Sequence, residues 1–252
     1  MRLFFDHTAG RITHVDWQYS TMLATFLPDE HEAALETGWL MNEWDPPFWF
    51  QARQVRYSLK DLTDLKKFKY PQGVTFKVIP VSPVQFNKYN EIWETYLAFK
   101  GFEKKTDFKE SLDFEPENKK VIEIYDKDYL VAFSIIRISP GPVSLQFAWN
   151  YHRPKISLGM VSQRFEMEYL KSRGFSHHYV CPGYETTCIW KKRFPGFEFW
   201  TGVSWSTDRE LYEKLCNKDS EIINADELFD LDSITENERP ALCEWELSRR
   251  PW

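Results

Sequence analysis

Residues 153–165 read RPKISLGMVSQRF, and their types and spacing could hold an anion. Leu158, Val161, Phe165, Tyr169 and Leu170 recur at helical spacing, with Ser157 as N-cap and Gly174 as C-cap. The amides of a helix's first turn point outward unpaired, and the macrodipole adds partial positive charge there. Gly159 leaves the backbone open to a ligand, while Arg153 and Lys155 add full charges. The stretch is therefore a candidate phosphate site, and equally an ordinary capped helix. Downstream, Lys191-Lys192-Arg193 form a second basic group, and Tyr184-Glu185 follow a Pro-Gly turn. His177 and His178 sit side by side in a strand-like run, so they face opposite ways. A zinc site from His178, Cys181 and Cys188 matches no common ligand spacing, and no metal is expected.

These residues need elements to position them. VIEIYD, YLVAFSIIRIS and VSLQFAWNYH read as three strands, the first two joined by a tight turn. The helix at 157–174 follows, then a strand in SHHYVCPGY, a short helical piece, and a hairpin or strand in FEFWTGVSWS. Upstream, 28–38 reads as a short helix, FWFQARQVRYSL as a strand, VTFKVIPVS as a strand and 83–100 as a helix stopped by Gly101. Residues 103–120 read as a loop or ragged helix. The expected organisation is an aromatic-rich, irregular N-terminal region (1–75), a central domain (76–216) and an acidic tail (217–252).

Composition sets outer limits. The 252 residues suffice for one large or two small domains, and aromatics at 17% read chiefly as core. No run of 18 apolar residues exists, which predicts no membrane span, and the first residues lack the apolar core of a signal peptide. Four cysteines without a CxxC pair suit a reduced, cytoplasmic setting. The net charge is −6. Residues 217–252 hold ten acids and four bases, so they carry all of it. Residues 151–193 hold eight bases against three acids, which leaves room for an anionic partner or for a solvated basic face.

Three antiparallel strands, a strand running into a helix start, then a diverging strand ending near a tyrosine: this order resembles the GNAT acyltransferases. It implies an α+β fold with a mixed, mostly antiparallel sheet flanked by helices. The glycine-rich loop with two spaced glycines that marks acetyl-CoA enzymes of that fold is missing. A closer resemblance lies in Leu130–Arg137, Ser157-Leu158-Gly159, Glu166, Tyr179, Gly183-Tyr184, Cys188 and Lys191-Lys192-Arg193-Phe194-Pro195. Their order and spacing resemble the C-terminal half of the arginyl- and leucyl-tRNA–protein transferases. The likeness covers roughly residues 35–200 and is tightest over 129–196. That family's N-terminal cysteine cluster has no counterpart, since no Cys precedes Cys181.

The resemblance implies an aminoacyl-tRNA-dependent aminoacyltransferase that moves an amino acid from a charged tRNA to an amine on a peptide, protein, small molecule or modified base. Aminoacyl-tRNA is then the co-substrate, with no other cofactor. Arg153, Lys155, Ser157, Leu158 and Gly159 hold a phosphate of the tRNA 3′ end, with Lys191, Lys192 and Arg193 near further phosphates. Trp149, Tyr151 or Trp190 stack the terminal adenine, or are core. Tyr184 is the expected acid, and Glu185 orients an ammonium or acts as base. Glu166 reads as the structural partner of a cation or as a further residue of the site, the former being favoured. Two alternatives remain: a GNAT N-acyltransferase using acyl-CoA, and a non-catalytic module of the same fold.

Overall fold

In a computed structural model, residues 3–12, 15–43, 48–60, 62–82, 86–101, 112, 115–150, 157–183, 186–202 and 204–219 are described. The chain divides into two compact units. One comprises Met1–Val55, Pro182–Arg193 and Glu198–Trp252; the other comprises Arg56–Cys181 and Phe194–Phe197.

The first unit opens with strands β1 (Leu3–Ile12) and β2 (Val15–Thr25), paired as an antiparallel hairpin. A 3-10 turn at Pro28–Glu30 leads into helix α1 (His31–Glu36), then strands β3 (Trp39–Met41) and β4 (Phe48–Gln51). The four strands form one sheet in the order β1-β2-β4-β3. The ring of Phe26 meets those of Trp39 and Trp49 edge-on, at 5.3 and 5.7 Å between centroids. Much of the N-terminal region thus holds strands, whose period is obscured in the sequence because Phe48 and Trp49, on opposite faces, are both buried.

FWFQARQVRYSL is two strands rather than the single one expected. The chain bends at Ala52–Gln54, where the Gln54 amide bonds the Ala52 carbonyl at 2.9 Å, and β5 (Val55–Ser58) follows. Neither Gly nor Pro marks that bend.

Unit two continues with a 3-10 turn at Thr63–Lys67, β6 (Val74–Pro80) and α2 (Phe86–Lys100), which Gly101 ends in a left-handed conformation. Then come β7 (Lys119–Asp126), β8 (Tyr129–Arg137), β9 (Val143–Trp149), α3 (Leu158–Ser172) and β10 (His177–Val180). Their strands lie in the order β5-β10-β9-β8-β7-β6. Strands β6 to β9 are successively antiparallel, and β10 joins β9 in parallel after the α3 crossover. Helices cover both faces. Tyr89 and Ile92 of α2 share a core with Val121, Phe133, Ile135 and Ala148, while alternation sends Ile122, Ser134 and Ile136 the other way, toward α3. The fold is α+β, with a mostly antiparallel sheet flanked by helices, as expected. Ser157 is the N-cap of α3, as expected, but its hydroxyl makes no capping bond. Arg173, not Gly174, is the C-cap, and Gly174 takes the left-handed position after it. Phe165 and Tyr169, expected inward, are half-buried, and Phe165 stacks on Phe76.

The chain re-enters the first unit with a 3-10 segment at Thr186–Arg193, then the hairpin β11 (Phe197–Trp200) and β12 (Trp205–Ser206), and α4 (Arg209–Asp219). Helix α4 carries order through Asn217–Asp219, where the sequence suggests only weak periodicity.

Candidate active site

Strands β9 and β10 part almost as soon as they meet. Tyr179 pairs with Val143 and Val180 with Ser144, after which β10 ends and β9 runs on to Trp149 paired only with β8. Directly past Ser144, Leu145 is an extra residue: Ile135 opposes Gln146, whereas Ile136 opposes Ser144. Such a bulge bends the strand and turns it away from its neighbour. The five residues from Leu145 to Trp149 make a fork roughly 17 Å deep at ~3.3 Å per residue. At its wide end β9 feeds toward α3, and the Cα of Gly159 stands so close to Phe147 that a Cβ there would lie 3.5 Å from its ring. The apex is Ser144, with the exposed thiol of Cys181 donating to the Ser144 carbonyl at 3.3 Å.

Beneath the apex lies a polar cluster that sequence reasoning did not assemble. Ser144 Oγ donates to Glu166 Oε2 at 2.5 Å and sits 2.7 Å from His178 Nε2. Ser162 Oγ donates to Glu166 Oε1 at 2.8 Å, and Gln163 Nε2 lies 3.1 Å from His178 Nδ1. The Ser134 hydroxyl faces the same carboxyl, beyond hydrogen-bonding geometry, and is otherwise unpartnered. Glu166 and His178 are buried; Ser144 is half-buried. Burial holds the Glu166 carboxyl above its ordinary range, against the opposing pull of the three serine hydroxyls. Burial also pushes His178 down to about 3, so its ring is neutral. Because Gln163 Nε2 can only donate, His178 Nδ1 accepts and Nε2 carries the ring proton. That fixes one direction of donation: His178 Nε2–H to Ser144 Oγ, and Ser144 Oγ–H to Glu166.

Glu166 was expected to serve a cation. Its partners are hydroxyls and His178, and among the described residues no Lys or Arg reaches it. The helix gave one usable signal: Leu158, Ser162, Glu166 and Leu170 form an i, i+4 row on its buried face, and a carboxylate in such a row needs a reason. Ser144 carried no signal in the sequence.

The other expected site residues fall in both units or outside the described residues. Ser157, Leu158 and Gly159 are at the start of α3 in the second unit, exposed, buried and half-buried in turn. Lys191, Lys192 and Arg193 belong to the first unit. Lys191 is buried and donates to the Pro182 carbonyl at 2.7 Å, Lys192 pairs with Glu213, and Arg193 is exposed. Arg153, Lys155, Tyr151, Tyr184 and Glu185 lie outside the described residues. Trp149 and Trp190 are half-buried. His177 and His178 face opposite ways, as alternation requires, and both nitrogens of the buried ring are occupied by Ser144 and Gln163. Arg164 is structural: it donates to Glu168 and the Phe68 carbonyl and lies over the Tyr70 ring. Among the described residues, no group of three or more His, Cys, Asp or Glu is placed to hold a metal ion. No described helix is long and apolar enough to cross a membrane.

No protein-family model and no curated protein matches the chain. Solved structures with similar folds include the C-terminal domain (DUF2156) of a putative lysylphosphatidylglycerol synthetase from Agrobacterium fabrum. It is 16% identical at a TM-score of 0.43, over 56% of this chain and 49% of that one. A GCN5-related N-acetyltransferase from Kribbella flavida is 16% identical at 0.36, over 52% and 48%. A functionally unknown conserved protein from Staphylococcus epidermidis is 10% identical at 0.39, over 78% and 71%. This chain thus spans about half the length of the first two. Likeness of this degree leaves function to the chemistry of the fork.

Proposed function

We propose that this protein is an acyltransferase that takes an aminoacyl group from a charged tRNA and passes it to an amine. The observation that carries the reading is the fork: the pairing of β9 with β10 stops after two residue pairs, and the uncapped start of α3 lies beside Phe147 farther along β9. Such a gap suits an extended donor whose anionic part lies at the helix and whose acyl group reaches Ser144. The absence of two spaced glycines before α3 favours a tRNA 3′ end over acyl-CoA. Acyl-CoA remains the second reading, because the same fork geometry serves a pantetheine arm.

In the reaction, the acceptor nitrogen attacks the ester carbonyl, the N–C bond forms, and the bond from carbonyl carbon to ribose oxygen breaks. The nitrogen must lose a proton and the ribose oxygen must gain one. Tyr184 is proposed to supply the latter, and Glu185 to orient the ammonium. Arg153 and Lys155 are proposed as phosphate contacts at the α3 start, together with Ser157, Leu158 and Gly159. Lys191, Lys192 and Arg193 are proposed as further contacts, led by the exposed Arg193.

The deciding experiment titrates the purified protein with deacylated tRNA, charged tRNA and acetyl-CoA at several salt concentrations, alongside Gly159→Ala. A Cβ at position 159 meets only the Phe147 ring at ordinary contact, so this variant should fold and melt no lower than the parent. Salt-sensitive tRNA binding without CoA binding, weakened about tenfold by the added methyl, supports the reading. CoA binding without tRNA binding replaces it with the second. Gly159→Ala binding tRNA like the parent removes the α3 start from the site.

A further inference from the structure

Ser144 is the one member of the cluster under the fork that is not fully buried, and the buried end is a carboxyl without a cation among the described residues. We propose that Ser144 and Glu166 form a proton relay, aligned by His178, that takes the proton from the attacking amine. The inference rests on the acyl-transfer reading given above, but the relay itself is a property of this chain.

Geometry makes the case. Ser144 is the last residue of β9 paired to β10, which ends at Val180, and the bulge at Leu145 against β8 follows directly. A donor lying in the fork therefore brings its acyl carbon to the Ser144 side chain. The Ser144 hydroxyl hydrogen points at Glu166, 2.5 Å away, and its lone pair receives His178 Nε2–H at 2.7 Å. Gln163 holds the imidazole in that tautomer from behind. Every described group that faces Glu166 is accounted for: Ser134 from β8, Ser144 from β9, Ser162 from α3 and His178 from β10. None is a permanent cation. A carboxylate buried among hydroxyls gains more from taking a proton than one paired to Lys or Arg.

The step balances. As the N–C bond forms, one nitrogen proton moves to Ser144 Oγ while the Ser144 proton moves to Glu166. The carbonyl carbon–ribose oxygen bond then breaks, the ribose oxygen takes one proton from its general acid, and Glu166 gives its own proton back through Ser144 to water, which restores that acid. Ser144 is the catalytic residue, since it touches the reacting nitrogen; Glu166 and His178 are positioning residues that act through it. Because Glu166 must be ionised to receive the proton, kcat/KM rises with pH through its elevated midpoint.

Two measurements on the full chain separate this proposal from the wider reading. The first needs no substrate: infrared spectra of the parent minus Glu166→Gln, titrated with pH in H2O and D2O. A protonated-carboxyl band should persist at pH values where ordinary glutamic acids are ionised, vanish in Glu166→Gln, and exchange deuterium more slowly in Ser144→Ala. No such band, or unchanged exchange in Ser144→Ala, overturns the relay. The second is transfer from a charged-tRNA pool. Ser144→Ala should lower kcat by about 100-fold with donor KM unchanged, and Ser144→Thr, which keeps the hydroxyl, should recover most of it. Glu166→Gln should flatten the pH profile. If Ser144→Ala transfers like the parent, the relay has no catalytic role. If the parent transfers nothing from tRNA or CoA, the proposed function falls, and the infrared result alone decides the relay.

Discussion

His178 sits at 0% exposure with both ring nitrogens engaged, and that burial makes it a liability in acid. Unfolded, the imidazole takes a proton near its ordinary value; folded, it resists until about 3. The sign follows from proton counts: between those values the unfolded chain binds the extra proton, so stability falls as pH falls, by about 1.4 kcal/mol per pH unit for this group. Glu166 acts oppositely. Its raised folded value contributes stability in acid that is lost as pH climbs through that value. In denaturant titrations from pH 7 down to pH 4, the parent should therefore weaken more steeply than His178→Gln. Equal slopes for the two would show that His178 is solvated. Little of this was readable from the residues alone. Ser144, Glu166 and His178 are 22 and 34 positions apart in contact terms, and only the β9–α3–β10 crossover joins them. A serine in a strand carries no mark of such a role. Alternation did separate His177 from His178, without saying which would be inside.

Elements were more legible where period and punctuation agreed. Strands β7 to β9, α2 and α3 fall where the hydrophobic pattern puts them, because alternation or 3.6-residue spacing there coincides with Gly or turn residues at the ends. The pattern failed at Ala52–Gln54, a bend made from Ala, Arg and Gln whose cause is tertiary. Glycine gives a further test at this scale. Gly174 and Gly196 both lie in the left-handed region, at φ of 88° and 67°. Nothing lies within 4 Å of a Cβ at Gly174, whereas one at Gly196 would run into the Ser58 carbonyl, just where the Ser58 amide bonds Gly196 O at 2.7 Å. Gly174→Ala should thus cost only the conformational penalty, about 1 kcal/mol. Gly196→Ala should cost roughly 3 kcal/mol or more, since backbone must move or the hydrogen bond must break. Chemical denaturation of the pair checks the order; equal losses would mean that the β5 contact yields without cost.

Charge is distributed over the whole molecule in a way that bears on any polyanionic donor. Residues 220–252 hold nine acids and three bases, a net −6, so residues 1–219 are neutral overall. A chain ending at Asp219 should therefore bind tRNA more tightly than the full chain at low salt, and the two should converge as salt screens the tail. Filter binding across a salt series measures this; affinity that drops on truncation would instead make the tail part of the binding surface.

The division into two units also has a consequence for synthesis. The polypeptide passes between them four times, after Val55, Cys181, Arg193 and Phe197. On the ribosome, the second unit is an unbroken stretch that lacks only four residues once Cys181 has emerged. The first unit, begun earlier, must wait for two later pieces of chain. Strands β1 to β4 can pair among themselves within residues 3–51, whereas the contact of β2 with α4 must wait until that helix has been made.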